Sequence, residues 1–285
     1  MHGIAPPLVT PFTESGRLDD DRLRELVGWL EDRGVHFLVP CGSTSEAELM
    51  TVDERARVIE VVADEASVPV LAGCGHPGYR ETMASIEAAA DVGADGAMVV
   101  TPFYYTHDQA TLAQYYRDVA DAAAIPIYLY SVPVFTHVRL EPDTVGELAA
   151  HPGVVGLKDS SGSLEGLVRT SRRVDGEFTL LVGAASLLGA ALDVGAAGGI
   201  LAVANLRPET ATRVVTEHGT DPDRARELTA TLGEVHAAAF EYGIPGLKWA
   251  MRERGAPAGR SRSPHRRLDD DEREALRAAL VDADG

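Results

Sequence analysis

Val154-Val155-Gly156-Leu157-Lys158-Asp159-Ser160, the helical stretch Leu164 to Val174, and Thr179-Leu180-Leu181-Val182-Gly183 follow one another as strand, helix and strand. The outer two runs are short, Val- and Leu-rich and without alternation, as expected of strands buried on both faces. Between them Ser and Gly open a turn, and apolar residues then recur at helical spacing. A strand that returns through a helix pairs in parallel with its successor, because a parallel pair needs a crossover of that length.

The same unit repeats in both directions along the chain. With Val154–Lys158 and Thr179–Gly183, the runs Ile4–Thr10, Gly34–Pro40, Val68–Cys74, Gly96–Thr101, Pro126–Ser131 and Gly199–Ala204 make eight candidate strands. Amphipathic stretches separate them at about Asp19–Asp32, Asp53–Glu65, Tyr79–Val92, Ala110–Ala123, Pro142–Ala150, Ser186–Val194 and Pro208–Glu217. Thr51 followed by Glu54 has the form of a capping box and places a helix start there. Eight alternations predict an α/β fold of the (β/α)8 TIM-barrel type. An open doubly wound sheet is the alternative, but the only candidate for its dinucleotide fingerprint, Gly195 to Gly199, precedes a strand instead of following one. Beyond Asn205 the pattern is helical, with Asp221–Tyr242, Gly246–Arg254 and Asp269–Val281 as appended C-terminal helices and Gly255–Arg267 as a loop. One domain is expected, residues 1–206 forming the barrel and 207–285 its eighth helix and a helical extension.

With 285 residues, 45% of them hydrophobic, the chain can bury a sizeable core. Its N-terminus lacks the basic and apolar regions of a signal peptide and no run of about 20 apolar residues occurs, so a soluble, cytoplasmic protein is expected. Cys41 and Cys74 are far apart and offer neither a disulfide framework nor a zinc site. A net charge of −18 argues against nucleic acid or an anionic membrane as partner. Lys158 and Lys248 are the only lysines among 26 basic residues, and acidic runs such as Asp19-Asp20-Asp21 and Asp269-Asp270-Asp271 recur. That bias suggests a halophilic source; an ordinary acidic surface is the plainer reading.

In a barrel the working residues lie at the C-terminal ends of strands. Lys158 ends an aliphatic strand, where an ammonium is costly unless a partner or a function requires it. A nucleophilic lysine must be desolvated or placed near other positive charge, which a barrel mouth can supply; snorkelling to the rim or pairing with Asp159 is the competing reading. Tyr130 ends the neighbouring strand and could move protons beside that amine, or simply fill the core. Ser43 and Thr44, in the hydroxyl-rich loop after the second strand, could bind a carboxylate or merely cap the loop. Lys248 sits in a helix beyond the barrel, where a structural role is expected. The nine histidines form no HxH or HExxH pattern, so no metal and no cofactor are expected; His76, His107 and His137 could line the mouth but read more simply as polar loop residues.

Taken in order, Gly42-Ser43-Thr44-x-Glu46, Thr101-Pro102-x-Tyr104, Tyr130-Ser131-Val132-Pro133, Gly156-x-Lys158-Asp159-Ser160, Gly183 and Gly243-Ile244-Pro245-Gly246-Leu247-Lys248 resemble the dihydrodipicolinate synthase and N-acetylneuraminate lyase family. The resemblance implies a Schiff base between Lys158 and pyruvate or a longer 2-oxo acid. It implies Ser43 and Thr44 as carboxylate ligands, Tyr130 as proton shuttle, and Tyr104 as a second tyrosine that in the synthases reaches in from a neighbouring subunit. Gly183 and Ile200 fall where the family lines the pocket floor, and a homo-oligomer, commonly a tetramer, is implied.

Two departures bear on the subfamily. Where the synthases carry an arginine for the carboxylate of aspartate semialdehyde, this chain reads Val134-Phe135-Thr136-His137, and Ser45 stands where the motif usually has glycine. The Tyr-Ser-Val-Pro and Leu-Lys-Asp-Ser-Ser-Gly runs look closer to aldolases of 4-hydroxy-2-oxoglutarate and 2-keto-3-deoxy sugar acids, so cleavage of such a 2-oxo acid to pyruvate and an aldehyde is the expected reaction. The alternatives are 4-hydroxy-tetrahydrodipicolinate synthase and, from a different class, a non-catalytic small-molecule binding protein. A phosphorylated substrate stays open.

Overall fold

A computed structural model describes residues 1–284. Among them seven strands form one parallel sheet: β1 (Gly3–Ala5), β2 (Leu71–Gly73), β3 (Gly96–Val100), β4 (Ile127–Ser131), β5 (Val154–Asp159), β6 (Thr179–Val182) and β7 (Gly198–Ile200). Their order is β1-β7-β6-β5-β4-β3-β2, so from β2 to β7 each strand lies beside its sequence neighbour, and β1 lies beside β7. Helices α1 (Asp20–Glu31), α2 (Val52–Glu65), α3 (Tyr79–Asp91), α4 (Gln109–Ala122), α5 (Pro133–Thr136), α6 (Pro142–Ala149), α7 (Leu164–Ser171), α8 (Leu188–Asp193) and α9 (Pro208–His218) fill the connections. Three more, α10 (Pro222–Phe240), α11 (Gly243–Glu253) and α12 (Asp270–Asp284), follow the last of them.

Eight strands were expected and seven are present among the described residues. The run Gly34–Pro40 is not a strand. Its pairing is reduced to single parallel bridges, Pro7 to Val39 on one side and Leu38 to Val70 on the other, with a few backbone hydrogen bonds beside them. Leu8 N–H donates to Val39 O and Leu71 N–H to Leu38 O, both at 2.9 Å, so the segment lies against both ends of the curled sheet. Prolines explain the missing ladder: Pro6, Pro7, Pro40 and Pro69 all fall in these three facing segments and none has an N–H to donate.

Alternation along the strands sorts side chains into two apolar layers. Ala5, Leu71, Met98, Tyr128, Tyr130, Leu181 and Ile200 pack together inside the curl. Leu129, Val99, Leu157, Leu180 and Val182 face the helices, packing with Leu26, Val62, Ile86, Tyr116 and Leu167. Five helices start where the sequence supplies a side-chain cap. The Thr51 hydroxyl accepts from Glu54 N–H at 3.2 Å while the Glu54 carboxylate accepts from Thr51 N–H at 2.9 Å, the reciprocal arrangement expected of that pair. Asp19, Asp108, Ser163 and Asp221 cap α1, α4, α7 and α10 in the simpler way.

Candidate active site

Parallel register brings Lys158 of β5 opposite Tyr130 of β4 on one side and Leu181 of β6 on the other. Lys158 is 4% exposed, and its Nζ lies 4.2 Å from the centroid of the Tyr130 ring. Gly156, two residues earlier on the same face, leaves the space that the Tyr128 ring occupies; a Cβ there would stand 2.5 Å from it. Gly183 is required at the end of β6 because a Cβ would collide with Ser160 Oγ. Lys158, Tyr130, Gly183, Ile200, Ser43 and Thr44 all line one cavity of about 240 Å³. The geometry therefore joins six of the seven residues singled out in the sequence.

Ser43 and Thr44 sit in a single tight turn, Ser43–Ser45. Ser45 is buried: its hydroxyl donates to Leu8 O and accepts from Gly42 N–H at 3.1 Å, so this serine ties the turn to the chain after β1. Glu46 ends the turn in the left-handed region at φ +59 and is buried as well. Its carboxylate accepts from the Lys248 ammonium and, at 2.8 Å, from Arg262 N–H. Lys248 is 0% exposed and also donates to Thr10 O at 2.6 Å and Arg260 O at 2.8 Å. Burial pushes the Lys248 ammonium down to about 8, against the pull of Glu46. The structural role expected of Lys248 thus has a specific object, the turn that carries Ser43 and Thr44. The sequence held a signal for it, since a chain that otherwise uses arginine kept lysine only here and at Lys158.

The mouth of the cavity is apolar. Val134 and Phe135, both on α5, line it, and Phe135 is 61% exposed. His236 and Phe240 on α10 and Ile244 on α11 complete the wall. The His236 ring stacks on Phe240 at 4.5 Å, its Nδ1 is buried without a partner, and burial pushes the imidazole down. None of these three was singled out as a site residue from the sequence, although Ile244 lies in the Gly243–Lys248 run. They lie on helices remote in the chain, where an amphipathic pattern looks the same whether it faces a core or a cavity.

Other residues stand outside the cavity in this chain taken by itself, among them the histidines read as polar loop residues and the tyrosine that in the synthases reaches in from a neighbouring subunit. Tyr104 does not line the cavity; it is 86% exposed at φ +81 and packs edge to face on Tyr105 at 5.1 Å. His76, His107 and His137 do not line it either, and His76 is buried against Ser85 and Arg55. The Arg139 guanidinium donates to Ser161 Oγ at 2.6 Å and does not line the cavity. Among the described residues no group of three or more His, Cys, Asp or Glu side chains could hold a metal ion.

A family model described as the dihydrodipicolinate synthetase family matches residues 1–283. The chain belongs to this family. Members of the dihydrodipicolinate synthetase family are pyruvate-dependent carbon–carbon lyases of the aldolase type, and this protein is one. It is 43% identical to an uncharacterized DapA-like lyase of Halobacterium salinarum, over 99% of this chain and 94% of that relative. It is 36% identical to a 4-hydroxy-tetrahydrodipicolinate synthase of Haloarcula marismortui, over 99% of this chain and 93% of the relative. Among solved structures, YagE, a prophage protein of the same family from E. coli K12 in complex with pyruvate, matches with a TM-score of 0.95 and 29% identity, over 100% of this chain and 99% of that one. The chloride-inhibited dihydrodipicolinate synthase of Acinetobacter baumannii complexed with pyruvate matches with a TM-score of 0.93 and 32% identity, over 99% of this chain and 98% of that one. The α/β fold with its curled parallel sheet and C-terminal helices is that of these barrel structures.

Proposed function

We propose that the protein is a Schiff-base aldolase that cleaves a 2-oxo acid, of the 2-keto-3-deoxy sugar acid or 4-hydroxy-2-oxoglutarate type, to pyruvate and an aldehyde. The observation that carries this reading is a buried lysine amine facing a tyrosine ring in a cavity whose mouth holds Phe135 and no arginine. In this scheme the Lys158 amine adds to the C2 carbonyl, Tyr130 gives its proton to the departing carbinolamine hydroxyl, and loss of water leaves the protonated imine and the Tyr130 phenolate. Tyr130 takes the proton of the C4 hydroxyl, the C3–C4 bond breaks, and its electrons pass to the iminium nitrogen as the aldehyde leaves. Protonation of the enamine at C3 and hydrolysis then release pyruvate and free the amine. Ser43 and Thr44 would hold the carboxylate with their hydroxyls; Gly183 and Ile200 shape the floor.

The alternative, condensation of pyruvate with aspartate semialdehyde, is favoured by the relatives named 4-hydroxy-tetrahydrodipicolinate synthase. Against it stands the mouth itself, which offers a second carboxylate no cation besides the lysine. Exposure of Tyr104 and Tyr105 supports a homo-oligomer in which these rings meet a second copy of the chain; sedimentation of the protein checks it, and a monomer that is fully active would leave Tyr104 without that role. The acidic, arginine-biased surface and the Halobacterium relatives support work at high salt. Pyruvate release from candidate 2-keto-3-deoxy acids and 4-hydroxy-2-oxoglutarate, assayed beside condensation with aspartate semialdehyde, tests the choice. A condensation rate at or above the best cleavage rate overturns it.

A further inference from the structure

Away from the candidate active site, a second and much smaller cavity of about 30 Å³ lies among α11, the start of α12 and the loop between them. Five guanidinium groups line it, those of Arg252, Arg260, Arg266, Arg267 and Arg273, and no carboxylate does. In a chain of net charge −18, so dense a positive spot is the reverse of its surroundings. Four of the five have acidic partners that do not line the cavity: Glu14 for Arg260 and Arg267, Glu272 for Arg266, Asp270 for Arg273. Arg252 donates to a carbonyl, Gly259 O at 2.5 Å, and the carboxylates of Glu253 and Glu14 act on it only through space. Burial and the charges of Arg260 and Arg273 push the Arg252 guanidinium down to about 10.

Two hydrogen-bond donors in the same cavity are also unsatisfied. Arg273 Nε and Ser261 Oγ are buried and without partners. A buried donor with no acceptor is costly. Both deficits are met by one negatively charged acceptor placed between these groups. The cavity is small, which favours a compact inorganic anion over an organic one.

We propose that this cavity binds one small inorganic anion, chloride being the first choice, held by Arg252, Arg273 and Ser261. The bound ion fastens the loop between α11 and α12, whose Arg260 carbonyl accepts from the Lys248 ammonium that in turn grips Glu46. It is therefore linked by two hydrogen bonds to the turn that carries Ser43 and Thr44.

The test uses the full chain at one fixed ionic strength, with potassium glutamate replaced stepwise by potassium chloride. Melting temperature should climb and saturate, by roughly 5 °C once chloride is about a hundredfold above its dissociation constant. Arg252→Gln should abolish this saturable part. Crystals grown in bromide should show an anomalous peak among Arg252, Arg273 and Ser261. If wild-type melting follows ionic strength alone, or bromide is absent from the cavity, water fills it and the proposal fails. Sulfate or phosphate stabilising more than chloride at equal ionic strength would overturn the choice of ion. Both readouts use the wild-type protein, so they decide the matter even if the variant does not fold.

Discussion

Lys158 is held by its surroundings: it is buried at the end of β5, its Nζ lies 4.2 Å from the centroid of the Tyr130 ring, and it lines the cavity. Borohydride in the presence of pyruvate should therefore leave a pyruvyl group on Lys158, read by mass spectrometry of the digested protein, and activity should survive exhaustive chelation. Full inactivation with an unmodified Lys158 peptide would remove the Schiff base from the scheme. Phe135 decides a second residue-scale matter. An arginine there would pair with a substrate carboxylate through a strong charge-assisted contact, whereas a half-exposed phenyl ring offers no compensation for lost water. If losing that contact costs about 3 kcal/mol, kcat/KM for aspartate semialdehyde falls roughly a hundredfold. Phe135→Arg should narrow the gap between condensation and cleavage, measured on one preparation; an unchanged ratio would mean that Phe135 does not set the preference.

Among the elements, the loop between α11 and α12 does more than its length suggests, since Arg262 from it binds the Glu54 carboxylate at the start of α2 with two hydrogen bonds of 2.6 Å. That contact, with the Thr51 cap, holds the Glu54 carboxyl down to about 2 from an ordinary 4.5. Because the folded state has the lower value, the associated stability is present above about pH 4.5 and lost as pH falls toward 2. Glu54→Gln should flatten the decline of the urea midpoint between those pH values; an identical slope would show that the contact contributes nothing. Lys248→Met alone strands Glu46 as a buried charge and should cost about 3–5 kcal/mol, while adding Glu46→Gln should recover part of the loss. Legibility in the sequence also divides by element. Strand ends at Tyr130 and Lys158 could be read directly, because position in a (β/α) unit fixes where a side chain emerges. The four-residue α5 could not, being too short for any period to register, yet it carries Val134 and Phe135 to the mouth. Nor could the loss of the second strand be read from apolar content alone: the run Gly34–Pro40 has the right residues, and its ladder is limited by prolines in the segments it faces. His236 and Phe240 stayed hidden because their approach to Lys158 depends on how α10 folds back over the barrel.

For the molecule as a whole, the distribution of its basic residues is as informative as the sum of its charges. Both lysines are buried, so every basic side chain at the surface other than histidine is an arginine, and many sit in ion pairs with the abundant carboxylates. Lysine persists only where a compact ammonium is needed, at Lys158 facing the cavity and at Lys248 donating to three oxygens at once. Such ion pairs at a wet surface are individually weak, and the remaining excess of −18 repels itself throughout the folded state but less in the expanded one. Salt acts on these two contributions in opposite directions. Screening relieves the long-range repulsion, which sums over all the unpaired carboxylates, but takes little from pairs in direct contact, so the net effect should be stabilising. At about 1 M the Debye length is only ~3 Å, shorter than the separation of unpaired surface charges. The melting temperature should thus rise with potassium glutamate, a salt lacking the small anion, from low concentration into the molar range and without saturating at millimolar levels. A flat or falling curve would mean that the acidic surface is an ordinary solvated one, and that the arginine bias reflects something other than adaptation to salt.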